Sequence, residues 1–166
     1  MTFDQCFEVV MEIEGFGSVV DDPEDNGGLT KWGISKKAHP ELSEEDIRTL
    51  TKEKAKAIYK RKYWDEIAAR SLPAFIRLSS FDACVNHGIT GGAKLMQKAA
   101  NVDKAGLEVD GVIGPLSQKA IKKLDPKSFL INLSLQRLRL FQRHEDFQRF
   151  GDGWTKRLFK VAIETV

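Results

Sequence analysis

The chain has 166 residues, of which 42% are hydrophobic and 30% charged, and this composition excludes a disordered or fibrous protein. Its length fits one domain, or two lobes that share a core. The net charge of +2 conceals an asymmetry, because residues 1–80 carry −3 and residues 81–166 carry +5. The two cysteines, Cys6 and Cys84, exclude a disulfide scaffold and a four-cysteine zinc site. They leave one bridge open, but we expect both to be small buried side chains in a reducing compartment.

The first thirty residues contain eight acids and no Lys or Arg. A secretory signal begins with basic residues and continues with an apolar run, so this segment does not have the pattern of one. No apolar stretch in the sequence approaches the length that crosses a bilayer. We therefore expect a chain made in the cytoplasm without a signal peptide and without stable membrane insertion.

Residues 2–14 predict the first helix. Thr2 followed by Gln5 three residues later is the pattern of a capping box, and Gly15 is a typical helix end. Apolar side chains recur at helical spacing and predict the buried stripe, which consists of Phe3, Cys6, Phe7, Val10 and Ile13.

Residues 16–35 are rich in glycine and turn residues, and they predict a small hairpin or an irregular β loop. Two short extended pieces are expected here, residues 18–20 and residues 29–34. Because side chains alternate along a strand, Thr30, Trp32 and Ile34 are expected on one face of the second piece.

The rest of the chain is predicted to be helical. Cap residues and first-turn prolines predict further helices that begin at Ser43, Thr51, Pro73, Thr90, Asp125 and Trp154. We expect these helices to end near residues 65, 88, 101 and 150, with a loop over residues 103–114 and a break at Gly151 and Gly153. The predicted fold class is α+β, mainly α, with one small β-hairpin near the N-terminus.

Glu14 is the most informative side chain, since it stands where the first helix ends and an acidic loop begins. The partial negative charge of a helix C-terminus disfavours a carboxylate. Asp21, Asp22, Glu24 and Asp25 follow without a nearby cation in sequence. Both effects are expected to raise the pKa of Glu14, and a carboxyl group kept protonated is the proton donor that a glycosidase needs.

A second carboxylate is needed on the opposite face of the sugar. The loop offers four acids, and their residue types alone do not choose among them; an acidic turn is also often only a solvated loop. Asp25 has the best local setting, because the turn over residues 26–28 fixes its position. Thr30 follows and has a hydroxyl able to hold the attacking water. A held water needs room between the carboxyl groups, which favours an inverting mechanism.

These residues also carry a resemblance. Glu14-Gly15 followed by D-P-E-D-N-G-G-L-T-K-W-G-I at residues 22–34 resembles the signature of glycoside hydrolase family 108, E-G-G-Y and then N-D-P-x-D-x-G-G-x-T-x-x-G-I. Members are lysozyme-like muramidases, many of them phage or prophage endolysins. The resemblance implies a lysozyme-like fold, with Glu14 as proton donor and Asp25 and Thr30 in the catalytic site. About two additional residues precede Asp22 here, so Asp21 or Asp22 remains an alternative to Asp25.

The second half of the chain resembles the predicted peptidoglycan-binding region that accompanies this family. The matching segments are F-D-A-C-V-N-H-G at residues 81–88, L-M-Q-K-A at residues 95–99 and V-D-G-V-I-G-P at residues 109–115. This implies a catalytic lobe over residues 1–80 and a helical peptidoglycan-binding lobe over residues 81–166 in one compact unit. Asn86 and His87 are then candidate substrate-binding residues, together with Trp32, whose ring suits the apolar face of a sugar.

The activity that the resemblance implies is hydrolysis of the β-1,4 bond between N-acetylmuramic acid and N-acetylglucosamine. No metal or cofactor is implied, the partner is peptidoglycan, and no nucleic-acid-binding motif is present. Two alternatives stay open, a lytic transglycosylase and a non-catalytic cell-wall-binding or secretion accessory protein. Without a signal, we expect a holin, a secretion system or cell lysis to bring the protein to the wall.

Overall fold

The structure is a computed structural model that describes residues 1–15 and 29–165. Its α-helices in these ranges are α1 (Phe3–Ile13), α2 (Glu44–Arg48), α3 (Lys52–Tyr59), α4 (Arg77–Val102), α5 (Pro115–Ile121), α6 (Pro126–Phe141) and α7 (Phe147–Thr165). A π-helical segment, Lys60–Trp64, follows α3, and two 3₁₀ turns, Ala69–Ser71 and Ala74–Ile76, precede α4. Strands β1 (Thr30–Lys31) and β2 (Ile34–Ser35) pair antiparallel. The predicted mainly helical α+β fold with one small hairpin is therefore confirmed.

Helix α1 begins and ends where the sequence predicts. The Thr2 side chain accepts a hydrogen bond from the Gln5 backbone, and the Gln5 side chain accepts one from the Thr2 backbone at 2.8 Å. Glu14 is the C-cap, and Gly15 follows with a φ of +87°, a conformation that favours glycine. The capping box thus fixes the start of α1, and Gly15 turns the chain away just beyond Glu14.

The expected extended piece over residues 29–34 is wrong, because the chain reverses within it. Trp32 and Gly33 have φ values of +54° and +68°, the signs of a two-residue type I′ hairpin turn. Thr30 pairs with Ser35 across this turn, so Thr30 and Ile34 lie on different strands and do not share the expected alternation. The other expected extended piece, residues 18–20, lies outside the described residues.

Two helix boundaries in the second half also differ from the prediction. Helix α6 ends at Phe141, and α7 runs through both glycines that were expected to break the chain. A Cβ on Gly151 would lie only 2.7 Å from the Phe147 ring, so this glycine permits close packing inside a helix. The helices expected to meet at Gly88 are joined in α4, which is kinked at that residue (φ 72°, ψ 164°). Helix α5 was not predicted.

The core forms around α4, which packs against α1, α6 and α7. Aromatic rings from both halves of the chain meet in it, with the Tyr59 ring 5.6 Å from Phe7 and 6.3 Å from Phe81. Cys6 and Cys84 are free thiols buried in this core, as expected, and burial raises their pKa values to about 11 and about 12. Residue 80 lies inside α4, so the predicted lobes share one core, and their separate roles stay a prediction.

Gly33 in the hairpin turn allows a test of how the turn packs against Tyr59. A Cβ on Gly33 would collide with the Tyr59 hydroxyl in addition to requiring a strained positive φ. We expect Gly33→Ala to lower the free energy of unfolding by about 2 kcal/mol, measured by urea unfolding. Gly153→Ala is the matched control, because Gly153 is an exposed helical residue with nothing within 4 Å of an added Cβ. It should raise stability by about 0.5–1 kcal/mol, and equal stability of the two variants would contradict this account.

Candidate active site

The C-terminal end of α1 positions Glu14. Its backbone N–H donates to the Val10 carbonyl at 2.9 Å, and its side chain is 25% exposed. The β-hairpin turn lies directly against this side chain, since a Cβ on Gly33 would come within 3.3 Å of Glu14 Cγ. The carboxyl group is therefore held between a helix end and a tight turn, with access to solvent.

One carboxylate oxygen of Glu14 is held by a cation from the far end of the chain. Arg157 Nη1 in α7 lies 2.7 Å from Glu14 Oε1 and donates a hydrogen bond to it. Oε2 has no hydrogen-bond partner among residues 1–15 and 29–165. The positive charge of Arg157 therefore lies directly against the Glu14 carboxyl group. The sequence expectation rested on the helix end and on the acids of residues 21–25, and it included no cation; those acids lie outside the described residues.

A second ion pair fixes how α7 lies along α1. Lys160 Nζ is 2.6 Å from Glu12 Oε1, while Arg157 contacts Glu14, so the two helices run antiparallel. The Lys160–Glu12 pair is partly exposed, and such pairs contribute little stability. The pair instead indicates how the two helices are arranged: the N-terminal half of α7 extends past the C-terminal end of α1.

Asp82 in α4 anchors the arginine that holds Glu14. Its carboxylate is fully buried, and Oδ1 accepts from Arg157 Nε at 3.0 Å and from Nη2 at 2.8 Å. Arg137 Nη2 in α6 lies 2.7 Å from the other oxygen, Oδ2. Burial acts to raise the pKa of Asp82, but the two guanidinium charges outweigh it and hold this pKa below its ordinary value. Burial opposes the charge of Arg157 too, but Asp82 and Glu14 raise its pKa.

Arg137 connects this charge network to two of the predicted binding residues. It is 2% exposed, and its Nε donates to His87 Nε2 at 3.3 Å while Nη2 donates to Asn86 Oδ1 at 3.4 Å. Burial and the nearby Arg137 charge lower the pKa of His87 to about 4. Asn86 and His87 are therefore part of the same connected network as Glu14.

The remaining predicted site residues have different outcomes. Asp25 lies outside the described residues. Thr30 lies in β1 and is half-buried. Trp32 is in the turn, where its indole N–H donates to the Leu50 carbonyl at 3.1 Å and its own carbonyl accepts from the Tyr59 hydroxyl at 3.1 Å. The Trp32 indole N–H is thus already used within the protein.

Four residues around Glu14 were not predicted: Tyr59, Asp82, Arg137 and Arg157. Burial, and then the charge of Glu14, raise the pKa of Tyr59, which keeps its hydroxyl a neutral donor. Asp82 left one signal in the sequence, an acid inside the apolar run F-D-A-C-V. The arginines left none, because they meet their partners only through the tertiary fold.

The described residues contain no cluster of three or more His, Cys, Asp or Glu side chains able to hold a metal ion. Within the same residues, no helix has the length and hydropathy of a membrane-spanning segment.

Residues 7–88 match the family profile described as Glycosyl hydrolase 108. The fold is similar to the solved structure of SagA from Brucella abortus, with 30% sequence identity and a TM-score of 0.86. That similarity covers 98% of this chain and 92% of SagA. The chain belongs to the glycosyl hydrolase 108 family. No curated protein sequence matches it significantly.

Family membership makes this chain a glycosidase and supports a peptidoglycan hydrolase. The family match contains Glu14, Asp82, Asn86 and His87, whereas Arg137 and Arg157 come from helices beyond its last residue. The interpretation of residues 81–166 as a peptidoglycan-binding lobe stays a prediction.

The neutral His87 predicts a specific pH dependence of stability. Its folded pKa of about 4 lies below the ordinary histidine value of 6.5, so the unfolded chain binds the proton first as the pH falls, and acid favours unfolding. Between about pH 6.5 and pH 4, we expect wild-type protein to lose roughly 1–3 kcal/mol more stability than His87→Gln. Urea unfolding at several pH values measures this difference.

The exposed His144 provides the control for that measurement. His144→Gln should retain the wild-type pH dependence, and the buried His39 is common to all three proteins and cancels in the comparison. A His87→Gln protein with the same pH dependence as wild type would contradict the neutral role of His87.

Proposed function

We propose that this protein hydrolyses the glycan strands of peptidoglycan at the β-1,4 bond between N-acetylmuramic acid and N-acetylglucosamine, with Glu14 as the proton donor. The proposal rests on the contacts of the two oxygens of the Glu14 carboxyl group and on its access to solvent. Arg157 holds Oε1 at 2.7 Å, whereas Oε2 has no partner in the described part of the chain, and the side chain reaches solvent. The match to a glycoside hydrolase family over residues 7–88 supports the same conclusion.

The proposed chemical step begins with Glu14 in its protonated form. Oε2 gives its proton to the glycosidic oxygen, the bond from that oxygen to the anomeric carbon breaks, and Glu14 becomes an anion. Arg157 is only 11% exposed, so water screens its charge little and it stabilises this new carboxylate. An arginine in this position therefore assists the step in which the acid loses its proton.

The opposite face of the sugar requires a group that activates water. We assign this role to Asp25, with Thr30 holding the water; Asp25 is supported by the sequence motif alone. Thr30 lies three residues before Gly33, the turn glycine that packs on Glu14, and this supports a position of β1 near the acid. The water adds its oxygen to the anomeric carbon, and its proton passes to the Asp25 carboxylate. This arrangement corresponds to inversion, for which the two carboxyl groups are about 6.5–9.5 Å apart.

The second half of the chain has the proposed role of binding the wall. Its charge of +5 favours approach to an anionic polymer, and it supplies both arginines of the charge network. The proposed place of action is the cell wall, reached from the cytoplasm through a holin, a secretion system or lysis.

Removal of the acid tests the proposal directly. Glu14→Gln keeps the size of the side chain but has no transferable proton, so we expect cleavage of purified sacculi to fall about 10²–10⁴-fold. The release of reducing ends measures the rate. Glu12→Gln is the matched control, because Glu12 is an exposed acid two residues earlier whose contact is Lys160. It should retain nearly full activity, and an active Glu14→Gln protein would end the assignment.

The products separate the alternatives. Hydrolysis leaves reducing muramic acid ends, whereas a lytic transglycosylase leaves 1,6-anhydro ends that are lighter by one water. We expect mass spectrometry of digested muropeptides to show the hydrated ends, and NMR of fresh product to show the inverted anomer. Binding to sacculi without release of either product would identify an accessory protein instead.

A further inference from the structure

Arg137 determines which atoms of its neighbours point away from it. The guanidinium group has only hydrogen-bond donors, so every side-chain atom that forms a hydrogen bond with it must be an acceptor. Arg137 is 2% exposed, and the opposite charge of Asp82 lies 2.7 Å away, which holds the group in place. The neighbouring Asn86 and His87 are consequently fixed in one orientation each.

The outward atoms of these two neighbours are therefore donors. His87 accepts from Arg137 through Nε2, so the proton of the neutral ring is on Nδ1. Its ring packs 5.2 Å from the Phe141 ring, which restricts rotation. Asn86 turns Oδ1 to Arg137, so its NH₂ group points elsewhere. Neither outward donor has a hydrogen-bond partner in residues 1–15 and 29–165, and both side chains are partly exposed.

We infer that the Asn86 NH₂ group and the His87 Nδ1–H form a subsite for a neutral hydrogen-bond acceptor of the glycan, the carbonyl oxygen of an acetamido group. This inference rests on the proposed function, since it assigns a substrate group to the same site. Asn86 is one helical turn beyond Asp82 on α4, and Asp82 reaches Glu14 through Arg157. The donors are thus joined to the acid through one buried network.

The charges of this network favour a neutral acceptor over an anionic one. The guanidinium group that faces Asn86 and His87 is that of Arg137, and its charge is already paired with the buried Asp82 carboxylate at 2.7 Å, so it presents no free cation to an anion. The low pKa of His87, caused by burial and by Arg137, keeps its ring neutral and its Nε2 available as an acceptor.

The test exchanges the outward donor of Asn86 for an acceptor. In a Glu14→Gln background, which prevents turnover, Asn86→Asp keeps an oxygen for Arg137 and presents a second oxygen to the glycan. The probes are the N-acetylglucosamine hexamer and its fully deacetylated form, titrated by calorimetry against the full chain. The parent should prefer the acetylated hexamer. Asn86→Asp should bind it at least tenfold more weakly and should bind the deacetylated hexamer as well or better.

Two further variants keep the result interpretable. Asn86→Ala adds no charge, so it should lose affinity for the acetylated hexamer without a gain for the deacetylated one, even if Asn86→Asp folds poorly. Gln148→Glu makes the same amide-to-carboxylate change on an exposed residue of α7 and should bind like the parent. Thermal unfolding of each variant establishes that it is folded.

Several outcomes would overturn the inference. It fails if the folded Asn86 variants keep the preference and affinity of the parent, or if the parent binds neither hexamer or both equally. Cleavage of sacculi by wild-type protein is measured separately. If the binding results are as expected but sacculi stay intact, the subsite stands and the hydrolytic proposal fails. If sacculi are cleaved but the parent shows no preference for the acetylated hexamer, the hydrolytic proposal stands and the subsite fails.

Discussion

The rest of the structure depends on one buried carboxylate between two guanidinium groups. Asp82 is fully buried, and its desolvation is tolerated only because Arg137 and Arg157 each contact one of its oxygens. Loss of one partner from such a group typically costs about 3–5 kcal/mol, since a charge is then left without compensation. Helices α4, α6 and α7 must therefore meet at this point, and the position of Glu14 follows from where they meet.

The sequence predicted local features well, since these depend on neighbouring residues. The capping box of Thr2 and Gln5 is an example, because both partners lie in one turn of the chain. The secondary-structure prediction failed where one residue type can serve two structural roles. Trp32 was assigned to a strand, but it adopts a positive φ that only its tertiary contacts make acceptable. The sequence pattern predicts a helix break at Gly151, whereas this glycine serves close packing against Phe147.

The candidate site shows the same difference between residues recognised from local sequence and residues that depend on tertiary contacts. Glu14, Asn86 and His87 were identified from motifs that are continuous in the chain. Arg157 is 143 positions from Glu14, and a lone arginine in an amphipathic helix does not differ from any surface arginine in sequence. The pattern of acids around Glu14 therefore suggested an anionic environment, and the fold adds a cation that only the packing of α7 reveals. The same limit explains why Arg137 was missed.

The separation of Glu14 from Arg157 also has a consequence for biosynthesis. A ribosome makes α1 before α7, so a nascent chain has its acid long before the arginine that holds it. An interrupted translation product that lacks α7 would have a glutamate without its cation and a buried aspartate with one counterion fewer.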